Sequence, residues 1–191
     1  MKSKIFRRIA TGVFFTAMFT SEMFSQSVKY SGDAELGVVA TENFANAGLG
    51  LSTTHGAYFA KPQLFVGAGA SAVFNIDGEF YNTVYPIYGD IRKDFSINRL
   101  FTAFIDAKAG YTLDGNQTGT INDSGLDYGF YCYPSVGLRV KTSERCGIYL
   151  KVGYTYQDAT LSHISHTEGE LIEGSKKYNA GGFSVSLGFS F

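Results

Sequence analysis

The segment Asn179-Ala-Gly-Gly-Phe-Ser-Val-Ser-Leu-Gly-Phe-Ser-Phe191 decides the fold of this chain. From Phe183 onward, every odd position carries a large apolar residue and every even position a small or polar one. Alternate side chains of a β-strand point to opposite faces, so this segment is predicted to be a strand with one apolar face. A closed barrel in a membrane would give such a strand a neighbour on each edge, lipid outside and a polar lumen inside.

Seven earlier segments repeat this alternation, which predicts an all-β, eight-stranded antiparallel transmembrane barrel. The predicted strands are residues 28–38, 45–58, 64–76, 84–95, 101–113, 128–140, 146–157 and 183–191. Most run for roughly 10 to 14 residues, the length that a tilted strand needs to cross a bilayer. The second strand has the weakest pattern, and a misreading of residues 44–63 would leave ten strands as the alternative.

The predicted connections are short at one end of the strands and mostly longer at the other. Residues 59–63, 96–100 and 141–145 form short predicted turns, whereas residues 114–127 and 158–178 form long, polar, glycine-rich loops, and the first two outer loops, residues 40–44 and 77–83, are of modest length. Outer-membrane barrels have short periplasmic turns and longer outer loops, so this difference in length also fixes the expected orientation.

The first 26 residues are predicted to be a secretory signal peptide, with the barrel domain covering residues 27–191. Four basic residues precede a short apolar core, and cleavage is expected near Ser25 to Ser27. Removing residues 1–26 takes away four basic residues and one acidic residue, which changes the formal net charge from −1 to −4. A nucleic-acid partner is not expected, because such a partner favours a basic surface.

Charged residues occupy predicted inward positions in mid-strand. Because buried charges are costly unless they are paired, we expect a cross-strand ion-pair network that plugs the lumen. Its predicted members are Lys29, Asp33, Glu35, Asp90, Arg92, Asp106, Lys108, Arg139 and Lys151.

The two cysteines, Cys132 and Cys146, are predicted to be free thiols that face lipid. Their positions differ by about eight residues in hairpin register, or roughly 27 Å at the rise of a strand. A disulfide needs Cα atoms within about 7 Å of each other.

Four stretches resemble the small outer-membrane β-barrel family of Bacteroidota, which is similar in build to the OmpA/OmpX and opacity-type barrels. They are Tyr85-Pro-Ile-Tyr-Gly-Asp-Ile-Arg-Lys-Asp-Phe95, Phe104-Ile-Asp-Ala-Lys-Ala-Gly-Tyr111, Phe130-Tyr-Cys-Tyr-Pro-Ser-Val-Gly-Leu-Arg139 and Val152-Gly-Tyr-Thr-Tyr-Gln157. The resemblance covers most of residues 28–191 and implies a bacterial outer-membrane location. It also implies that Phe191 is the signal read by the outer-membrane assembly machinery. The family has no catalytic motif to transfer.

Histidines and carboxylates in the last predicted loop leave two chemical alternatives open. His163 and His166, with Glu168, Glu170 and Glu173, could converge on a metal ion. His163-Ile-Ser165 resembles the His-x-Ser of outer-membrane lipid A deacylases, where a serine nucleophile needs its base within about 3 Å. The interpretation that we favour is a hydrated acidic loop without either activity. His55, on the second predicted strand, is interpreted as an interfacial polar residue.

The sequence therefore predicts a non-enzymatic barrel without a cofactor. Its expected role is structural or interactive: envelope integrity, adhesion, or recognition through the outer loops. A narrow channel or carrier for small solutes or apolar ligands is the first alternative, and a lipid A-modifying enzyme is the second. The expected partners are outer-membrane lipid, the assembly machinery during biogenesis and an unidentified extracellular ligand.

Overall fold

The computed structural model describes residues 28–41, 47–76, 81–114, 124–143, 146–167 and 170–191. The predicted signal peptide, residues 1–26, lies outside the described residues. No helix in the described part of the chain is long and apolar enough to cross a membrane.

Within the described residues, ten strand segments form a single antiparallel sheet. They are β1 (Val28–Thr41), β2 (Ala47–Phe59), β3 (Leu64–Ile76), β4 (Tyr81–Ser96), β5 (Phe101–Asp114), β6 (Ser124–Lys141), β7 (Gly147–Tyr154), β8 (Tyr156–Thr167), β9 (Glu170–Asn179) and β10 (Gly182–Ser190). The strand order is β5-β4-β3-β2-β1-β10-β7-β6-β8-β9. A further pairing of β5 with β6 closes the sheet.

The closed sheet is an eight-stranded barrel, because two of its strands are each divided by a bend. The first part of β6, residues 124–132, pairs with β8, and the second part, residues 135–141, pairs with β7. β7 and β8 are therefore successive parts of one barrel strand. β10 pairs with β7 and β9 pairs with β8, so β9 and β10 form the eighth strand in the same way. The eight-stranded fold predicted from sequence is confirmed, and the weak second strand is one continuous segment.

The bends in the seventh and eighth strands lie beside each other. The Thr155 amide donates to the Gly182 carbonyl oxygen at 2.8 Å, and the Ala180 amide donates to Gln157 at 2.8 Å. The side-chain oxygen of Asn179 accepts from the amides of Gln157 and Gly181, each at 3.0 Å. The two strands therefore stay joined where the regular ladder is interrupted.

The expectation that residues 158–178 form an irregular loop was wrong. β8 and β9 pair from Asp158 with Asn179 to Thr167 with Glu170, which extends the last barrel hairpin. The apolar alternation of the barrel fades here, so the sequence pattern no longer marks the strands although the backbone ladder continues. Residues 124–127, assigned to the preceding loop, likewise belong to β6. Residues 115–123 lie outside the described part of the chain.

The predicted turns at residues 59–63 and 96–100 lie at one end of the barrel, together with Val28, Phe191 and the described part of the third predicted turn; we call this the turn end. Asn98 caps one turn, its side-chain oxygen accepting from the amides of Leu100 and Phe101 at 2.9 and 2.7 Å. The Phe191 amide and carbonyl both bond to Gly32 on β1, at 2.9 and 2.8 Å. The opposite end, where β8 and β9 extend, is the hairpin end.

The outer surface of the barrel is apolar and its interior is polar. On β10, Val185 and Leu187 are 52% and 55% exposed, whereas Ser184 and Ser186 are 4% and 7% exposed. Large exposed apolar side chains occur on every barrel strand. A contiguous apolar exterior of this extent needs a non-aqueous environment.

Candidate functional site

Glu35 lies in the middle of the lumen and links strands that are not neighbours in the sheet. Its carboxylate accepts hydrogen bonds from Lys108 at 3.0 and 3.1 Å and from Lys151 at 2.8 Å. Tyr149 Oη and Ser52 Oγ also donate to it, at 2.8 and 3.2 Å. Strands β1, β2, β5 and β7 are thus connected through one carboxylate. Charge-assisted hydrogen bonds of this kind are the strongest that side chains form.

Asp106 completes the group that we call the central cluster: Glu35, Asp106, Lys108 and Lys151. Lys151 Nζ lies 2.9 Å from Asp106 Oδ2, so this ammonium bridges two carboxylates. Ser135 Oγ donates to the same Asp106 oxygen at 3.3 Å. All four charged residues are buried. Each buried charge has an opposite partner, which is the condition under which such charges are tolerated.

A second group, the turn-end cluster, contains Asp33, Arg92, Asp94 and Arg139. Arg92 Nη1 lies 2.6 Å from Asp33 Oδ2, and its Nε lies 3.5 Å from Asp94 Oδ1. Arg139 Nη1 lies 2.8 Å from Asp94 Oδ2. Asp94 therefore forms ion pairs with two guanidinium groups.

The structure brings seven of the nine predicted lumen residues into ion pairs. Lys29 is instead exposed at the turn end and pairs with no described residue. Asp90 is buried and faces Lys108 in the β4–β5 register, but forms no ion pair with a described residue. Asp94 was missed, although it follows Asp90 and Arg92 at the same alternate spacing on β4 and so shares their inward face.

Aromatic rings fill the space between the charged groups. Lys108 Nζ lies 4.7 Å from the centre of the Tyr88 ring, and Lys151 Nζ lies 4.9 Å from that of Tyr133. The Arg92 guanidinium lies 4.7 Å from the centre of the Phe65 ring. Rings at such distances attract cations through their quadrupoles. The buried lumen aromatics are Phe65, Tyr88, Phe104, Tyr131, Tyr133 and Tyr149.

Glycine creates the room that two of these rings need. A Cβ atom added to Gly188 would collide with the Tyr149 ring, and one added to Gly137 would collide with the Phe104 ring. The Phe104 and Tyr149 rings meet edge to face, with centroids 5.5 Å apart. Two inward glycines thus allow two bulky rings to lie across the lumen.

The free volume of the described lumen is unevenly distributed. Two small cavities, of about 40 and 50 Å³, lie towards the hairpin end around Tyr131 and Thr155. Each is large enough for only a few water molecules. A much larger cavity of about 610 Å³ lies at the turn end, lined by Arg92, Asp94 and Arg139 among others. The central cluster separates it from the small cavities.

His55 lies on the outer face of β2 in a polar group with Tyr30 and Thr53. Tyr30 Oη lies 2.6 Å from His55 Nδ1, and Thr53 Oγ1 lies 2.9 Å from Nε2. The Phe191 ring meets the imidazole at an angle of 66°, with centroids 6.1 Å apart. Both ring nitrogens have partners, which agrees with the interpretation of His55 as an interfacial polar residue.

Cys132 and Cys146 are both free, as predicted. Cys132 lies on the outer face of β6. Cys146 is partly exposed and contributes to the lining of the turn-end cavity, and its contact with lipid stays a prediction. Cys146 precedes β7, so strand alternation does not determine where its side chain points.

The candidate metal and nucleophile residues of the last hairpin are only partly described. His163, Ser165 and His166 lie on β8, and their side chains are outside the described structure. Glu168 lies outside it entirely, and the side chains of Glu170 and Glu173 are likewise not described. Within the described part of the chain, no three His, Cys, Asp or Glu residues are grouped so as to hold a metal ion.

A closed eight-stranded sheet with an apolar exterior and a charged lumen defines a transmembrane β-barrel. The chain is similar to the crystal structure of neisserial surface protein A (NspA), with 12% identity and a TM-score of 0.50 over 86% of this chain and 98% of that one. A designed transmembrane β-barrel also matches, at 10% identity and a TM-score of 0.40 over 84% of this chain and 93% of that one. No protein-family model matches the sequence, and no curated protein matches it significantly.

Proposed function

We propose that this protein is a bacterial outer-membrane barrel with a structural or surface-interaction role. The observation that carries the proposal is the contrast between an apolar exterior and a lumen filled by paired charges and aromatic rings. The likeness to NspA, whose name describes a surface protein, supports the same class. Catalysis is not part of the proposal, and membership in the Bacteroidota family stays a prediction.

The proposed orientation places the turn end in the periplasm and the β8–β9 hairpin outside the cell. Short turns at one end and an extended hairpin at the other support it. Ser175, exposed on β9, and Ser143, exposed in a turn, are matched positions for a test. In a background in which Cys132 and Cys146 are replaced by serine, a membrane-impermeant maleimide should label Ser175→Cys in intact cells, whereas Ser143→Cys should react only after the outer membrane is permeabilised. The reverse pattern would contradict the orientation.

We propose that the lumen does not conduct ions. The central cluster connects β1, β5 and β7 across the lumen, and the two cavities described on its hairpin side have volumes of about 40 and 50 Å³. Purified barrel in planar lipid bilayers should give no discrete current steps. Steady steps of nanosiemens size would support the alternative of a channel.

The β8–β9 hairpin is the proposed interaction element, because it extends the last two barrel strands beyond the bends at Thr155 and Gly181. A strain lacking the protein should be assayed for detergent sensitivity and for surface binding. It should then be complemented with a variant that lacks residues 161–175. Loss of binding with normal detergent resistance would support a recognition role, whereas defects in neither assay would argue against both roles.

We also propose that Phe191 is read by the outer-membrane assembly machinery. In the folded barrel, Phe191 pairs with Gly32 and its ring lies over that glycine. Phe191→Ala should reduce the amount of folded barrel in the membrane, while refolding of the purified variant into detergent should be little affected. Normal membrane levels of the Phe191→Ala variant would contradict the proposal that the assembly machinery reads Phe191.

A further inference from the structure

The turn-end cavity has an excess of positive charge that the ion pairs of the lumen do not balance. Among the described residues, four cationic side chains line it, Lys29, Arg92, Arg139 and Lys141, together with one side-chain carboxylate, that of Asp94. Asp33, outside the lining, adds one more negative charge beside Arg92. The central cluster is different, because its two lysines face two carboxylates and the buried Asp90 as well.

Arg139 has unused hydrogen-bonding capacity beside this cavity. Its Nη1 is paired with Asp94, whereas Nε and Nη2 are buried and have no hydrogen-bond partner among the described residues, so an anion that reaches them must displace the packing around them. Its guanidinium lies 5.3 Å from the centre of the Phe104 ring and 5.9 Å from that of Tyr149, so aromatic contacts hold the planar group in place. A guanidinium fixed in this way is suited to oxyanions, whose geometry matches its fork of donors.

The remaining lining supplies neutral donors at the same end of the lumen. Tyr58 and Thr102 contribute hydroxyl groups, whereas the Ser190 hydroxyl already donates to the Gly147 carbonyl oxygen, and Lys29 and Lys141 are exposed at the rim. A volume of about 610 Å³ exceeds what a single inorganic anion needs and leaves room for an organic group attached to it. The enclosing strands also lower the local dielectric, which strengthens an ionic interaction relative to water.

We propose that this cavity is a binding site for phosphate-bearing anions, held between Arg139 and the rim lysines Lys29 and Lys141. The anion enters from the turn end, and the central cluster closes the opposite side. The phosphate can belong to a soluble metabolite or to a lipid headgroup that bends into the barrel mouth.

The test uses the barrel refolded in an uncharged detergent and titrated with inorganic phosphate by calorimetry. We expect saturable binding that weakens as salt is added, because the rim charges are screened. Lys29→Gln with Lys141→Gln should weaken phosphate binding by about tenfold. Lys61→Gln with Lys93→Gln is the matched control, since it removes the same charge from two exposed lysines that do not line the cavity.

A second variant separates the effect of the planar guanidinium group of Arg139 from the effect of its positive charge. Arg139→Lys keeps the positive charge but loses the planar fork, so phosphate affinity should fall by about threefold to tenfold. A chloride titration should show no comparable preference for arginine at this position. Folding of each variant is verified by its heat-dependent gel mobility, so that lost binding is not confused with a lost barrel.

Nanodiscs distinguish the two sources of phosphate. If phosphate affinity is equal in zwitterionic and anionic lipid, the site is accessible to a soluble anion. If anionic lipid competes with phosphate, a headgroup occupies the same site. The proposal is overturned if the wild-type barrel shows no saturable phosphate binding in any of these media. It is also overturned if the rim variant and the control variant lose affinity equally.

Discussion

The central cluster and the turn-end cluster each combine two carboxylates with two basic residues, which are lysines in the first and arginines in the second. Around Glu35, two lysines and a tyrosine converge on one carboxylate, and aromatic rings pack against both lysines. Around Asp94, two arginines share one carboxylate beside a cavity of about 610 Å³. The comparison indicates that the central cluster holds strands together. The turn-end cluster instead borders the cavity in which we propose that a phosphate-bearing anion binds.

Removing Glu35 should have the largest effect on this comparison. Glu35→Ala leaves Lys108 without its ion-pair partner and Lys151 with only Asp106, so we expect a loss of about 3–5 kcal/mol in the free energy of unfolding. Reversible urea unfolding in lipid vesicles measures the loss. A change under about 1 kcal/mol would mean that Glu35 does not anchor the lumen.

The equivalent change in the turn-end cluster should cost less. Asp94→Ala deprives Arg139 of its ion pair, but Arg92 retains Asp33 and the cavity beside both arginines admits water. We expect a loss of about 1–2 kcal/mol in the same unfolding assay. If Asp94→Ala were as damaging as Glu35→Ala, the proposed difference between the two clusters would not exist.

A pair of glycine substitutions tests how tightly the middle of the lumen is packed. Gly137→Ala places a Cβ atom against the Phe104 ring and nearby backbone, so we expect a loss of about 1–3 kcal/mol. Gly50→Ala is the matched control, because the nearest atoms to its added Cβ are at 3.8 and 3.9 Å, an ordinary contact distance. Comparable unfolding midpoints for the two variants would show that the lumen is loosely filled.

The smallest expected effect concerns the rim of the turn-end cavity. Lys29→Gln with Lys141→Gln should leave the unfolding midpoint unchanged or raise it slightly, because these like charges pair with no described carboxylate. Any gain should vanish in about 1 M salt, where the Debye length is about 3 Å. A clear loss of stability would reveal a structural role for these lysines and weaken their assignment to binding.

Strand alternation made most of the barrel predictable, because each barrel strand has lipid on one side and the lumen on the other. Alternation alone places Glu35, Lys108 and Lys151 in one interior. Which carboxylate each lysine would contact could not be predicted, since Glu35 is 116 residues from Lys151 in sequence and their distance depends on barrel closure. The β8–β9 hairpin was missed for a different reason, because the apolar alternation that marks a strand in lipid fades there.

The most direct test of the account is whether lipid contacts the outward-facing row of β10. The chain has no tryptophan, so the fluorescence of a single introduced tryptophan can be measured without a background from other tryptophans. Leu187→Trp should be strongly quenched by brominated lipid chains, whereas Tyr131→Trp, inside the barrel, should be protected. Equal quenching of both variants, or quenching of Leu187→Trp by aqueous iodide instead of lipid, would contradict a transmembrane barrel.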